Sequence, residues 1–203
     1  MKTKLVIILL LTNFSIPLFS QDFETFINHG IAKADKADYK GALVEFQHAL
    51  NLNPKSAIAY NNMGNCLLEM KDLNGSITYY NKAILYNPKF AKAYYNRGKA
   101  KNELKKYDSA LLDLNKSLSI DPSYFAAYFI RGNIRYSLQD IDGSITDYTT
   151  AIKMNPKYAE AYFNRGGARL TKGDEKGGCA DFKYSLKLGY KDAQELIDKF
   201  CKE

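Results

Sequence analysis

A 34-residue period is the feature that most limits how this chain can fold. Glycine recurs at that spacing, at Gly30, Gly64, Gly98, Gly132 and Gly166. A dipeptide ending in proline keeps the same step, at Asn53-Pro54, Asn87-Pro88, Asp121-Pro122 and Asn155-Pro156. Proline ends a helix and biases the preceding residue away from helical angles, so each unit is expected to close there. A period of this length indicates a stack of small supersecondary units.

Each unit carries the pattern of two helices. An aromatic residue lies four positions before each glycine, at Phe26, Tyr60, Tyr94, Tyr128 and Tyr162. A second set of core positions follows after a break, at Phe46, Tyr80, Leu114, Tyr148 and Phe182. Aspartate, a good helix N-cap, stands where the second helix should begin, at Asp38, Asp72, Asp140 and Asp174, with Lys106 as the exception. The glycines are expected to let the paired helices pack closely.

These residues resemble the tetratricopeptide repeat (TPR), a 34-residue helix-turn-helix with an aromatic and a glycine on its first helix and a closing proline. The resemblance implies an all-α fold, a right-handed α-solenoid of five repeats. The expected repeats span residues 23–56, 57–90, 91–124, 125–158 and 159–190. Residues 191–203 are expected to form a capping helix, because Ala193, Leu196, Ile197 and Phe200 have helical spacing.

Residues 1–20 read as a signal peptide, so the chain resembles TPR proteins of the exported bacterial type. Lys2 and Lys4 precede an apolar run from Leu5 to Leu11. Polar residues and Pro17 interrupt that run well before the roughly 20 apolar residues that cross a bilayer. We expect removal near Ser20, a periplasmic or secreted protein, and no integral membrane segment once it is processed. Retention as an anchor is the alternative.

The charge does not favour a nucleic-acid partner. The formal net charge is +7, and loss of Lys2 and Lys4 with the signal would lower it to +5. The remaining basic residues are spread through the repeats among acidic ones rather than gathered in a block. We therefore expect no nucleic-acid binding.

An arginine and an aspartate vary together between repeats. Three repeats carry arginine just before the glycine, at Arg97, Arg131 and Arg165, and aspartate sixteen residues later, at Asp113, Asp147 and Asp181. In the first repeat, His29 and Glu45 take these places. Partly buried charges need partners, so we expect structural ion pairs within a repeat or between neighbours. Ligand capture by the arginines is the alternative.

Two cysteines are placed to form a disulfide. Cys179 and Cys201 each lie eleven residues from Tyr190, so a hairpin turning there would bring them opposite one another. An exported protein can oxidise such a pair, which would stabilise the fold by about 3 kcal/mol. The alternative is two reduced, buried thiols. Cys66 is expected to be a core residue.

The inner surface of such a solenoid, which the first helices line in this family, is the candidate binding groove. Asparagine amides can donate to and accept from one peptide group together, so a ladder of them could hold an extended chain. Tyr95, Phe129 and Phe163 would add apolar pockets, and Lys92 and Lys99 complete the expected groove. The amide rows are Asn28, Asn62, Asn96 and Asn164, with Asn65 and Asn133 beside them. Helix packing is the alternative role for these amides.

The sequence thus predicts a scaffold or adaptor in the cell envelope that binds a protein or peptide in its groove. A structural assembly factor of envelope or secretion machinery, binding through the convex face or the ends, is the alternative. A hydrolytic site is disfavoured because the groove acids Glu69 and Glu103 lack an evident partner. No cofactor is implied, and His29 and His48 belong to no cluster with metal-ligand spacing. The oligomeric state is not predicted.

Overall fold

The computed structural model describes residues 16–201, with side chains from residue 22 onward. Within that range the regular secondary structure is entirely α-helical, and short turns join the helices. The helices are α1 (Ile16–Asp35), α2 (Tyr39–Leu52), α3 (Ala57–Glu69), α4 (Leu73–Tyr86), α5 (Ala91–Glu103), α6 (Tyr107–Ile120), α7 (Phe125–Ser137), α8 (Ile141–Met154), α9 (Ala159–Thr171), α10 (Glu175–Lys187) and α11 (Ala193–Phe200). The expected signal peptide lies outside the described residues, apart from residues 16–20 at the start of α1.

Consecutive helices pair within a repeat, and each pair packs on the next. The predicted all-α solenoid of five helix pairs and a cap is confirmed. The first helices of successive pairs also contact one another directly, α1 with α3 and so on to α9. We call the surface formed by these odd-numbered helices the inner face.

The turn inside each repeat is closed by one recurring hydrogen-bond motif. After α1, the N–H of Asp38 donates to the carbonyl of Lys33 and that of Ala37 donates to Ala34, each at 2.9 Å. Ala37 has a φ of 59°, the left-handed conformation typical of such helix ends. The Asp38 carboxylate then accepts from the N–H of Gly41 and so caps α2. One short segment therefore ends the first helix and starts the second.

Close packing of the two helices depends on the glycine of the first. A Cβ added at Gly64 would lie 2.5 Å from Cε1 of Tyr80, whose side chain is 0% exposed. The same ring-on-glycine contact joins Gly30 to Phe46, Gly132 to Tyr148 and Gly166 to Phe182. In the third repeat Leu114 replaces the ring, 3.1 Å from the corresponding position on Gly98.

The last helix is tied to the solenoid by a disulfide. Cys179, on α10, is bonded to Cys201, the C-cap residue of α11, with a Cα–Cα distance of 5.5 Å. Helix α11 packs mainly on α10. Cys66 is a free, buried thiol, and burial raises its pKa to about 11. None of the helices in residues 16–201 has both the length and the apolar character needed to cross a membrane.

Adjacent glycines on α9 allow a matched test of this packing. Alanine at Gly166 would place its Cβ 2.8 Å from the Phe182 ring and 3.0 Å from the Gly178 carbonyl oxygen, so Gly166→Ala should lower the free energy of unfolding. Gly167 has no neighbouring atom within 4 Å of the added Cβ, so Gly167→Ala should stabilise the protein by about 1 kcal/mol through helix propensity. Chemical denaturation measures both, and shifts of the same sign would contradict this account.

Candidate functional site

Each of the three predicted arginine–aspartate pairs is present, and each pair belongs to a larger hydrogen-bond network. Arg131 donates from Nε to Oδ2 of Asp147 at 2.9 Å and from Nη2 to Oδ1 at 2.6 Å. Its remaining nitrogen, Nη1, donates to Asn115 on the preceding repeat at 2.7 Å. Arg135 donates to the same Asp147 carboxylate, which is 1% exposed, at 2.9 Å. The network thus joins the helices of one repeat and also joins that repeat to its neighbour.

The third and fifth repeats reproduce this arrangement. Sequence reasoning missed the second cation and the contact to the preceding repeat, although both recur every 34 residues. The equivalent sets are Arg97, Asp113, Lys101 and Asn81, and Arg165, Asp181, Arg169 and Thr149. Because every carboxylate is bound on both oxygens by cations of its own repeat, these arginines are structural.

In the first repeat the expectation that His29 faces Glu45 as its partner is wrong. Lys33, one turn later on α1, donates to Glu45 at 2.5 Å. This hydrogen bond is the main reason that the pKa of Glu45 is lowered, and the charge on His29 adds only a smaller effect. The Lys33 side chain is longer than that of His29 and starts one helical turn later, so its ammonium group reaches the Glu45 carboxylate.

The asparagines of the two predicted rows bond to one another across the repeats. Nδ2 of Asn96 donates to Asn61 at 2.9 Å and to Oδ1 of Asn65 at 3.0 Å, and Asn96 is only 7% exposed. The hydroxyl of Tyr80 donates to that same oxygen of Asn65 at 2.9 Å. Asn96 therefore has a packing role, and its burial makes it unsuitable as a contact for a ligand.

The same arrangement recurs two repeats later. Oδ1 of Asn133 accepts from the Tyr148 hydroxyl and from Nδ2 of Asn164, both at 2.8 Å. In each case a buried tyrosine and an asparagine of the next repeat fix the orientation of one amide. Among residues 16–201, no acceptor is bound to the amide nitrogens of Asn65 and Asn133.

The inner face of residues 16–201 has a cavity toward each end. The N-terminal cavity, of about 350 Å³, brings together the predicted residues Asn62, Asn65 and Lys92 and adds Asp35 and Glu69. The C-terminal cavity, of about 330 Å³, is lined by Asn133, Phe163 and Asn164, with Leu196 of α11 beside them. Each of the two oriented amides, Asn65 and Asn133, therefore borders one cavity.

Phe129 is not part of the groove surface, contrary to expectation. It is 3% exposed, because its ring packs against Tyr148 and Tyr158 at centroid distances of 5.9 and 4.7 Å. The other two predicted aromatic residues are less buried. Each packs against a tyrosine in the loop that follows the second helix of its own repeat. Tyr95 lies 4.7 Å from Tyr124, and Phe163 lies 4.8 Å from Tyr190. The sequence analysis missed these loop tyrosines.

Comparison with protein families agrees with this architecture. A family model described as "Tetratricopeptide repeat" matches residues 57–90 and 91–124, and one described as "TPR repeat" matches residues 132–173. Together they match more than half of the 203 residues. The chain belongs to the tetratricopeptide repeat family. A sequence comparison of this TPR protein with curated proteins finds no match.

Solved structures share the fold of this TPR protein. The structure of MamA is 25% identical with a TM-score of 0.70, covering 81% of this chain and 96% of its own. Pseudomonas aeruginosa pilF is 16% identical with a TM-score of 0.78, covering 89% and 87%. YrrB, described as a TPR protein with an unusual peptide-binding site, is 17% identical with a TM-score of 0.69, covering 89% and 97%.

The remaining groove residues of the TPR protein lie apart from the cavities. Asn28 is exposed on α1 and Lys99 is half-buried on α5. Glu160, which sequence analysis missed, is exposed at the start of α9, but its neighbours exclude enough water to raise its pKa. Within residues 16–201, no group of three histidine, cysteine or acidic side chains could hold a metal ion.

The arginine network of the TPR protein should contribute strongly to its stability. Asp147→Ala would leave Arg131 and Arg135 without their shared carboxylate, and we expect a loss of about 3 kcal/mol in the free energy of unfolding. Asp108→Ala removes an exposed acid in the first turn of α6 that has no ion pair among the described residues, and it should lower the free energy of unfolding by at most about 1 kcal/mol. Urea denaturation compares the two, and equal losses would contradict the structural role.

Proposed function

We propose that this protein is an exported interaction scaffold that binds an extended peptide segment of a partner protein along its inner face. The observation that carries the proposal is the pair of oriented amides at the two cavities. Asn65 and Asn133 each use their oxygen for two internal hydrogen bonds, and their NH2 groups, which have no acceptor among residues 16–201, can donate to a ligand carbonyl. A donor held in place before binding loses little entropy when the ligand arrives.

The separation of the cavities suits an extended chain. Their amides, Asn65 on α3 and Asn133 on α7, are two inner-helix spacings apart, which is about 16–20 Å at 8–10 Å per packed helix. An extended peptide rises about 3.3 Å per residue, so a segment of about six residues would join the two amides. Hydrogen bonds from these amides to main-chain carbonyls would give affinity without requiring a particular peptide sequence. The cavities would hold peptide side chains.

Filling the cavities should abolish binding. The double variant Asn62→Trp/Gly167→Trp places an indole in each cavity, and Gly167 has free space around it. Leu85→Trp/Leu112→Trp is the matched control, because these residues are 70% and 71% exposed on the outer helices α4 and α6. Immobilised wild type and control should retain the same partner from an envelope extract, as measured by quantitative mass spectrometry, and the cavity variant should not.

The opposite pattern of partner retention would support the alternative function. Loss of the partner from the Leu85→Trp/Leu112→Trp variant alone would favour the structural assembly factor that binds through its convex face. Both variants must keep the wild-type helical circular dichroism signal for either comparison to count. The natural chain has no tryptophan, so the indole emission of each double variant reports the average burial of its two introduced rings.

Export to the periplasm or the medium is supported by two independent features. The N-terminal residues have the basic and apolar order of a signal peptide. The Cys179–Cys201 disulfide at the other end fits an oxidising compartment. Removal of residues 1–20 would leave the part of α1 that carries Phe23, Phe26 and Ile27 into the core.

Intact mass tests export and oxidation together. The full chain is produced in a bacterial cell, the periplasm is separated from the cytosol, and thiols are alkylated in denaturant before or after reduction. We expect a periplasmic product lacking about 20 residues. It should take up reagent only at Cys66 before reduction, and at all three cysteines afterward. A full-length cytosolic product, or three reactive thiols before reduction, would contradict the proposal.

A further inference from the structure

The N-terminal cavity contains two carboxylates that the fold does not use. Asp35 and Glu69 are the last residues of α1 and α3, 34 positions apart, and both line this cavity. Among residues 16–201, neither has an ion-pair partner. Both carboxylates are exposed to solvent and so can be reached by a ligand, unlike the buried and paired Asp113, Asp147 and Asp181.

The position of these acids is also unfavourable for the helices that carry them. The C-terminal end of a helix has a partial negative charge, which repels a carboxylate and favours a cation. The same helix-end position is also acidic in the third repeat, at Glu103, which lies outside the cavity, and it is neutral in the fourth and fifth repeats, at Ser137 and Thr171. Asp35 and Glu69 therefore do not stabilise the helices that carry them, and they give this cavity a negative charge.

We propose that the N-terminal cavity receives a lysine or arginine side chain of the bound peptide. This inference rests on the proposed function and specifies the partner's chemistry. The cationic head would lie between Asp35 and Glu69, and its alkyl stem would pack on Ile31 and Tyr39, which also line the cavity. The free amide of Asn65 would donate to a neighbouring main-chain carbonyl.

Lys92 makes the two ends of the cavity differ in charge. It lies in the first turn of α5, whereas Asp35 and Glu69 lie at the last residues of the parallel helices α1 and α3. The lysine therefore borders the cavity at the opposite end from the acids. It would repel a ligand cation placed at its own end, so the basic side chain is steered toward the carboxylates.

An affinity selection tests the inference. The protein comprising residues 21–203 is immobilised and exposed to a randomised peptide library, and the retained peptides are sequenced. We expect lysine and arginine to be enriched at one position. The most enriched peptide is then synthesised, and its Kd is measured by fluorescence anisotropy. Asp35→Asn/Glu69→Gln should weaken its binding roughly tenfold, with less loss at high salt.

Two further variants separate local from general charge effects. Asp108→Asn/Glu195→Gln removes two exposed acids that have no ion pair among the described residues and lie outside this cavity, and it should leave the Kd unchanged. Lys92→Gln should keep or strengthen the binding of the same peptide. The melting temperature of Asp35→Asn/Glu69→Gln should equal or exceed that of wild type, because the helix ends lose an unfavourable charge.

The outcomes distinguish this inference from the proposed function. Retained peptides without any preference for a basic residue would overturn the inference but support the peptide-binding groove. An unchanged Kd in Asp35→Asn/Glu69→Gln, or a lowered melting temperature, would overturn it as well. Failure to retain any peptide would contradict the peptide-binding groove itself.

Discussion

The contact between a glycine on one helix and a side chain on its partner sets the geometry of every repeat. With no Cβ in the way, the ring of Phe46, Tyr80, Tyr148 or Phe182 lies directly on the first helix. Where the ring is tyrosine, its hydroxyl extends past the glycine to an asparagine of the inner face. The packing of the core and the orientation of the groove amides are therefore consequences of one contact.

Periodicity made the fold predictable from the sequence. Glycine, aromatic, aspartate and proline signals all repeat in register, and each has a local physical cause, so helix pairing and stacking follow. The groove was less predictable, because whether Asn96 or Phe129 faces a ligand or a neighbour depends on the offset between successive repeats. One signal was available: asparagine occurs at positions 65 and 133, in the two repeats whose core ring is Tyr80 or Tyr148.

The inner face differs from the rest of the molecule in how its polar and charged groups are paired. The chain as a whole is basic, and most of its buried charges are matched within the arginine networks. On the inner face, the amide nitrogens of Asn65 and Asn133 and the carboxylates of Asp35 and Glu69 border cavities and have no partner within the part of the chain that the structure describes. Polar groups that a fold holds in place but does not satisfy are suited to contact with something outside the chain.

The inter-repeat bonds of the arginines make the solenoid uneven along its length. Arg97, Arg131 and Arg165 each reach back to the preceding repeat, so the couplings run from the second repeat to the fifth. The first repeat has Lys33 in place of this network and lacks that arginine. The apolar cluster of Phe46, Ala59 and Met63 joins the first repeat to the second instead. In a linear array, where each unit is stabilised by its neighbours, an end repeat has one such interface and opens more readily than an internal one. A ligand in the N-terminal cavity, which is lined by both of these repeats, would therefore oppose the opening of the first repeat.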